Sequence, residues 1–166
     1  MAHSHADKPA PAAPEDVTEL ILRIFRVHSA LLAAGDKLVE GLGLTSARWQ
    51  LLGGIADREE PLSVAQLARE IGVTRQSVQR IANELETEGV IAFRPNPRHK
   101  RAQLVGLTSH GRTLFERSME LQRPWAGALG RNLTASQVTQ VCKTLEELLA
   151  NLKGGEDATP DDGGPE

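Results

Sequence analysis

The sequence predicts a mainly α-helical fold with one small two-stranded β hairpin. Three observations predict it. Stretches near both ends repeat apolar residues at alternating spacings of three and four, two short capped helices sit mid-chain with only Gly72-Val73-Thr74 between them, and two β-patterned runs follow directly, joined by a basic, proline-bearing loop.

With 166 residues the chain matches one compact unit on the prior of ~150 residues per domain, which excludes most two-domain enzymes. Nineteen Lys and Arg against 22 Asp and Glu give a net charge of −3, and 40% hydrophobic with 25% charged residues excludes a disordered or fibrous chain. The charge is unevenly spread: Gly154 to Glu166 holds five acids and no base, whereas Pro61 to Phe115 holds eight bases and four acids. Net acidity therefore does not exclude a polyanionic partner. The single cysteine, Cys142, makes no intrachain disulfide, and residues 1–14 lack the apolar segment of a secretion signal, so a cytoplasmic, reducing home is expected. With three Phe, two Trp and no Tyr, the core must be built from aliphatic side chains.

Residues 1–14 and 154–166 have tail compositions and are expected to be disordered, which leaves one domain over 15–153. Its first helix spans about 15–40, with Val17, Ile21, Ile24, His28, Leu31, Gly35 and Leu38 on one seam. His28 in such a seam reads as a core or interface residue, with a sensor as the alternative. Thr45 caps the next helix, Leu44 and Trp49 stand at hydrophobic-staple positions, and the helix should end near Asp57. Ser63 and Gln66 form a capping box for a short helix that Gly72 closes. Thr74 caps the following helix, whose inward residues are Val78, Ile81, Ala82 and Leu85.

The opposite face of that helix carries Arg75, Gln76, Gln79, Arg80 and Asn83, with no acid among the five. Arg, Gln and Asn are the side chains that match the hydrogen-bonding edges of guanine and adenine. The β runs at 90–94 and 103–107 flank a loop in which Arg94 to Arg101 supplies four bases in eight residues. Directly after a helix-turn-helix, such a hairpin is a wing. The expected DNA-contact set is Ser63, Thr74, Arg75, Gln76, Ser77, Gln79, Arg80, Asn83, Arg98, His99, Lys100 and Arg101, and the winged helix-turn-helix spans about 45–108. Two further helices, within 109–153, complete the chain. Pro124 predicts a kink or break near Leu121 in the first, and Thr134 with Gln137 caps the second, which runs Val138, Val141, Cys142, Leu145, Leu148, Leu149, Leu152 in one apolar stripe. The striped helices at both ends are expected to form a dimer layer.

The order of elements resembles the MarR family of bacterial winged-helix regulators. The segments that carry the resemblance are Leu62 to Ala68, Val78 to Ile91 around the second helix of the pair, Lys100-Arg101, and Leu107-Thr108 with Gly111. It implies a homodimer interlocked through its first, fifth and sixth helices, with the second helix of each pair in a major groove and the wings in minor grooves. A helix ~10–12 Å across fits a major groove ~12 Å wide, and half-sites one turn apart set the two helices ~34 Å from each other. The family's wing carries an acid shortly before its arginine pair, whereas Arg98 stands near that place here. The resemblance also implies a repressor that a small aromatic or phenolic effector releases from a pseudo-palindromic operator. His28, Arg48 and Trp49 are the candidate ligand residues.

No nucleotide-binding, nucleophile-elbow or metalloprotease motif is present in the sequence, no cofactor is called for, and His3 with His5 in a tail is no structural metal site. Two alternatives to the DNA-binding regulator are a winged helix used only for protein contacts and a thiol-based redox sensor using Cys142. The apolar-stripe position of Cys142 predicts a buried structural thiol instead.

Overall fold

The structure, a computed structural model, describes residues 11–56, 58, 60–98 and 102–156. His99, Lys100, Arg101, the His3 and His5 pair and most of both tails lie outside the described residues. Internal contacts divide the chain into two compact units, Met1–Gln122 and Arg123–Glu166.

The first unit opens with α1 (Pro14–Val39), whose Pro14 occupies the first helical position, where its missing N–H costs nothing. A 3-10 turn (Glu40–Leu42) and the left-handed Gly43 lead to α2 (Ser46–Ala56). Gly35 decides how α1 meets α2: a Cβ there would come within 2.5 Å of Ser46 Oγ. The Ser46 hydroxyl instead donates to the Leu32 carbonyl at 2.7 Å, and its backbone N–H donates to Asp36 at 2.6 Å. The glycine in the seam of α1 is thus where α2 begins against it.

Leu62–Ser63 forms a short strand, β1, before α3 (Val64–Ile71), α4 (Arg75–Thr87), β2 (Ile91–Arg94) and β3 (Leu104–Leu107). The wing hairpin is two-stranded as expected, but β1 adds a third antiparallel strand, giving the order β1-β3-β2. Leu62 pairs with Val105, and Phe93 pairs with Val105 from the other side. Ser63 is both the end of β1 and the cap of α3. Its backbone N–H donates to the Gln66 side chain at 2.9 Å while its hydroxyl accepts from the Gln66 N–H at 3.4 Å, completing the capping box. Gly72 closes α3 at φ +71°, a conformation that favours glycine, and Thr74 caps α4 by accepting from the Ser77 N–H at 3.2 Å. One apolar cluster joins these elements, with Leu51, Leu52, Leu67, Val78, Ala82, Leu85, Ile91 and Val105 nearly or fully buried.

Between α4 and the wing, the left-handed Gly89 turns the chain so that Thr108 docks on it. The Thr108 hydroxyl donates to the Gly89 carbonyl at 2.7 Å, its N–H donates to Val90 O at 3.1 Å, and the Gly111 N–H donates back to Thr108 Oγ1 at 3.0 Å. This fixes the start of α5 (Ser109–Leu129) against the end of α4. The helix continues through Pro124, so of the kink or break expected near Leu121 the break is absent.

The second unit holds the end of α5 and α6 (Ala135–Glu156). Thr134 and Gln137 form the expected capping box, with the Thr134 N–H donating to Gln137 Oε1 at 2.8 Å and the Gln137 N–H to Thr134 Oγ1 at 3.2 Å. The helix runs past Lys153 to Glu156, into the segment assigned to the acidic tail.

A Cβ at Gly111 would overlap the Val90 carbonyl oxygen, whereas one at Gly127, also on α5, would meet nothing within 4 Å. Gly111→Ala should therefore lower stability by about 2–3 kcal/mol, while Gly127→Ala should be neutral or stabilising by about 0.5 kcal/mol. Urea unfolding midpoints of the two variants read this directly, and equal midpoints would refute the pinning of α5.

Candidate nucleic-acid interface

The apolar edge of α4 is sunk in the core, with Val78 at 1%, Ile81 at 8% and Ala82 and Leu85 at 0% exposure. At 100° per residue the line diametrically opposite runs through Gln76, Arg80, Asn83 and Thr87, all exposed. Arg75 and Gln79 stand on the flank facing the wing, where with Ser63, Phe93 and Gln103 they line a cleft of about 90 Å³. Ser77 and Arg80 border the other flank, on a mainly apolar cavity of about 240 Å³ that Ala47, Gln50, Leu51, Ile71 and Val73 complete.

Three of the expected contact residues, Gln79, Arg80 and Asn83, are tied within the helix. The Gln79 amide donates to Asn83 Oδ1 at 2.8 Å, and Arg80 Nη1 donates to Glu84 Oε1 at 2.6 Å. The face is therefore not free of acids: Glu84, one turn beyond Arg80, belongs to it. The i,i+4 spacing of Arg80 and Glu84 was visible in the sequence. Ser63 is 7% exposed and its hydroxyl is built into the α3 cap, while Thr74 and Ser77 bond each other at 2.9 Å at the start of α4.

Arg48, expected as a ligand residue, holds α2 to the end of α4. Its side chain is 16% exposed, forms a two-pronged ion pair with Glu88, lies 3.7 Å from Glu84 Oε2 and donates to the Gly43 carbonyl at 3.3 Å. Its fork thus already grips carboxylates of this chain. Trp49 is half-buried against the core and His28 is exposed on α1. Neither of the two cavities beside α4, nor the wing cleft described next, is lined by any of the three.

On the wing, the Arg98 N–H donates to Asn96 Oδ1 at 2.9 Å and its guanidinium stands 3.7 Å from Glu60, both side chains at least 80% exposed. Glu60 thus pairs with the arginine that occupies the place of the wing's acid. A cleft of about 470 Å³ lies between this loop and α3, bordered by Glu60, Gln66, Arg69, Pro97, Arg98 and Leu104.

Cys142 corrects the expectation of a buried thiol: it is exposed. The cause is the whole helix. Val138, Val141, Leu145, Leu149 and Leu152 on α6 are each at least 40% exposed, so the stripe that was to bury the thiol is uncovered in the single chain.

The sequence profile of the MarR family matches residues 42–102, from the end of the 3-10 turn through α4 and β2 to the loop before β3. A cysteine-to-serine mutant of MarR from E. coli, complexed with operator DNA, superposes with a TM-score of 0.72 at 24% identity, covering 84% of this chain and 99% of that one. The chain belongs to the MarR family. Among curated relatives, the uncharacterized protein Rv2011c of Mycobacterium tuberculosis is 39% identical over 102 residues, 61% of this chain and 70% of that protein. The transcriptional activatory protein BadR of Rhodopseudomonas palustris is 29% identical over 150 residues, 89% of this chain and 86% of its own length. The mainly α, winged-helix architecture expected from the sequence is the one that solved MarR structures have. Among the described residues no helix of this MarR-family chain is long and apolar enough to cross a membrane.

Because Glu84 and Glu88 remain half-exposed, the clamp on Arg48 is worth little more than a good surface pair. Arg48→Met should lower stability by about 1 kcal/mol, Glu88→Gln by a similar amount, and the double variant by less than their sum. Urea unfolding of all four proteins completes the cycle, and strict additivity would show that the two side chains do not couple.

Proposed function

We propose that the chain is a dimeric, sequence-specific DNA-binding transcription regulator, cytoplasmic, acting as a repressor on a pseudo-palindromic operator. The observation that carries this is the outward line of α4: Gln76, Arg80 and Asn83 exposed on a helix whose opposite edge is fixed in the core. These groups are suited to base edges in a major groove, with Arg75 and Gln79 on the flank toward the wing. Arg98, His99, Lys100 and Arg101 supply phosphate or minor-groove contacts. The domain comprises residues 15–153, and a second copy covers the apolar residues exposed on α1 (Ile21, Leu22, Phe25, Val27, Leu31) and on α6. The name of BadR speaks of activation in that relative. A reporter gene behind the bound site distinguishes the two signs of regulation.

Effector release enters through Arg48. An aromatic acid that takes this half-buried guanidinium must displace Glu88 and so loosen α2 from α4. By reciprocity, DNA and such an effector then weaken each other, with a coupling of about 1–3 kcal/mol. Salicylate titrated while Trp fluorescence and DNA binding are followed together should quench and release in parallel. Quenching without release would leave a binding site and no switch.

Binding to a duplex selected from a random library should weaken with salt at a log–log slope of roughly −5 to −9, as ~6–10 basic groups per dimer neutralise phosphates. Val141→Glu or Leu145→Glu should convert dimers to monomers in sedimentation and cost the selected duplex at least about tenfold in affinity. A slope near zero, or a wild-type monomer at micromolar concentration, overturns the proposal. Arg80→Ala and Gln76→Ala should each cost about 1–3 kcal/mol at one base position, whereas Lys100→Ala should weaken all duplexes alike.

A further inference from the structure

We propose that Glu84 is a specificity-determining residue: it holds Arg80 away from phosphates and passes to Arg48 when Arg80 engages a base edge. The proposal rests on the DNA-binding function above. A guanidinium on the outward line of α4 is attracted to any phosphate, and that attraction carries no sequence information. Glu84 lies one turn further along, on the flank facing α2, and its Oε1 accepts from Arg80 Nη1 at 2.6 Å. Arg80 is thereby drawn off the outward line toward α2.

The carboxylate has a second cation ready. Its Oε2 lies 3.7 Å from Arg48 Nη2, and Arg48 is itself held by Glu88 and the Gly43 carbonyl. The two arginines differ in setting: the Arg80 side chain is 68% exposed and Arg48 only 16%. Glu84 therefore stands between one exposed guanidinium and one held by other partners, and releasing the exposed one does not strand its charge. A phosphate oxygen offers Arg80 little more than Glu84 already provides, and it must approach a carboxylate to do so. The O6 and N7 of a guanine offer two acceptors that match the arginine fork. Binding through Arg80 is thus taxed at every phosphate and favoured only where the base edge fits.

The test compares the intact protein with Glu84→Gln, Arg80→Ala and the double variant, on a duplex selected from a random library and on a scrambled duplex of equal length. Glu84→Gln should steepen the salt slope on the scrambled duplex by ~0.9 for each subunit engaged, which at 0.15 M salt is about fivefold tighter binding. The selected duplex should gain less than about twofold, so discrimination falls. In the Arg80→Ala background Glu84→Gln should have no such effect. Tightening of equal size in that background would show that only net charge is at work, and no tightening would show that Arg80 is not restrained. Either result overturns the proposal while leaving DNA binding intact, whereas failure of the wild type to bind any duplex overturns the function and the proposal together. A readout without DNA closes the test. Slow rotation of the Arg80 guanidinium in nitrogen-15 spectra of the wild type should be lost in Glu84→Gln, and its absence from the wild type would refute the pairing itself.

Discussion

The ion pair of Arg48 with Glu88 joins residues 40 apart in sequence and two helix ends that each carry the charge their own dipole disfavours. Arg48 stands in the first turn of α2, which holds no acid, and Glu84 and Glu88 stand at the close of α4, whose last turn holds no base. Left alone, each arrangement would be mildly destabilising. Brought together, the cation of α2 lies at the negative end of α4 and the carboxylate of α4 at the positive end of α2. The unfavourable charges thereby favour the meeting of the two helices, and they reinforce the orientation that the buried edge of α4 already sets.

A second constraint fixes the same helix from beyond its C-terminus. Gly89 reverses the chain, Val90 and Ile91 carry it into the core and β2, and Thr108 then bonds the Gly89 and Val90 carbonyls while Gly111 donates to Thr108 and packs on Val90. Any rotation of α4 therefore moves the start of α5 and the root of the wing together. The wing is braced from its other side by β1, whose two residues pair with β3 immediately before α3 begins. The two members of the helix pair and the strands of the hairpin are thus joined as one piece.

Most of this frame was legible because its signals are local. The Ser63–Gln66 and Thr134–Gln137 boxes, the Thr74 cap and the left-handed Gly72 each lie within four residues of the partner they need. What escaped depends on distant partners. Leu62-Ser63 looks like a staple and cap, and nothing near it says that Val105 and Leu104 lie alongside. Arg48 looked free to grip a ligand because Glu88, which it grips, is forty positions away. Glu84 was within reach of local reasoning, yet listing the outward face by residue type left out the acid one turn beyond it. The expectation for Cys142 went astray for a different reason: an apolar stripe states what a helix needs covered, and the covering surface need not belong to the same chain.

That last point bears on how selective DNA binding could be on the proposed function. Three outward side chains on one α4 would read about three or four base pairs, a site that recurs roughly every 60 to 260 pairs among the ~10⁶ or more competitors of a genome. A lone subunit would therefore be lost in non-specific binding, however well its helix is held. Two helices at a fixed separation square the rarity of the site and make the second contact intramolecular. The uncovered residues of α1 and α6, Cys142 among them, then belong to the same requirement as Gln76, Arg80 and Asn83. Without a second copy the reading face has too little sequence to read, and without the reading face there is no spacing for a second copy to set.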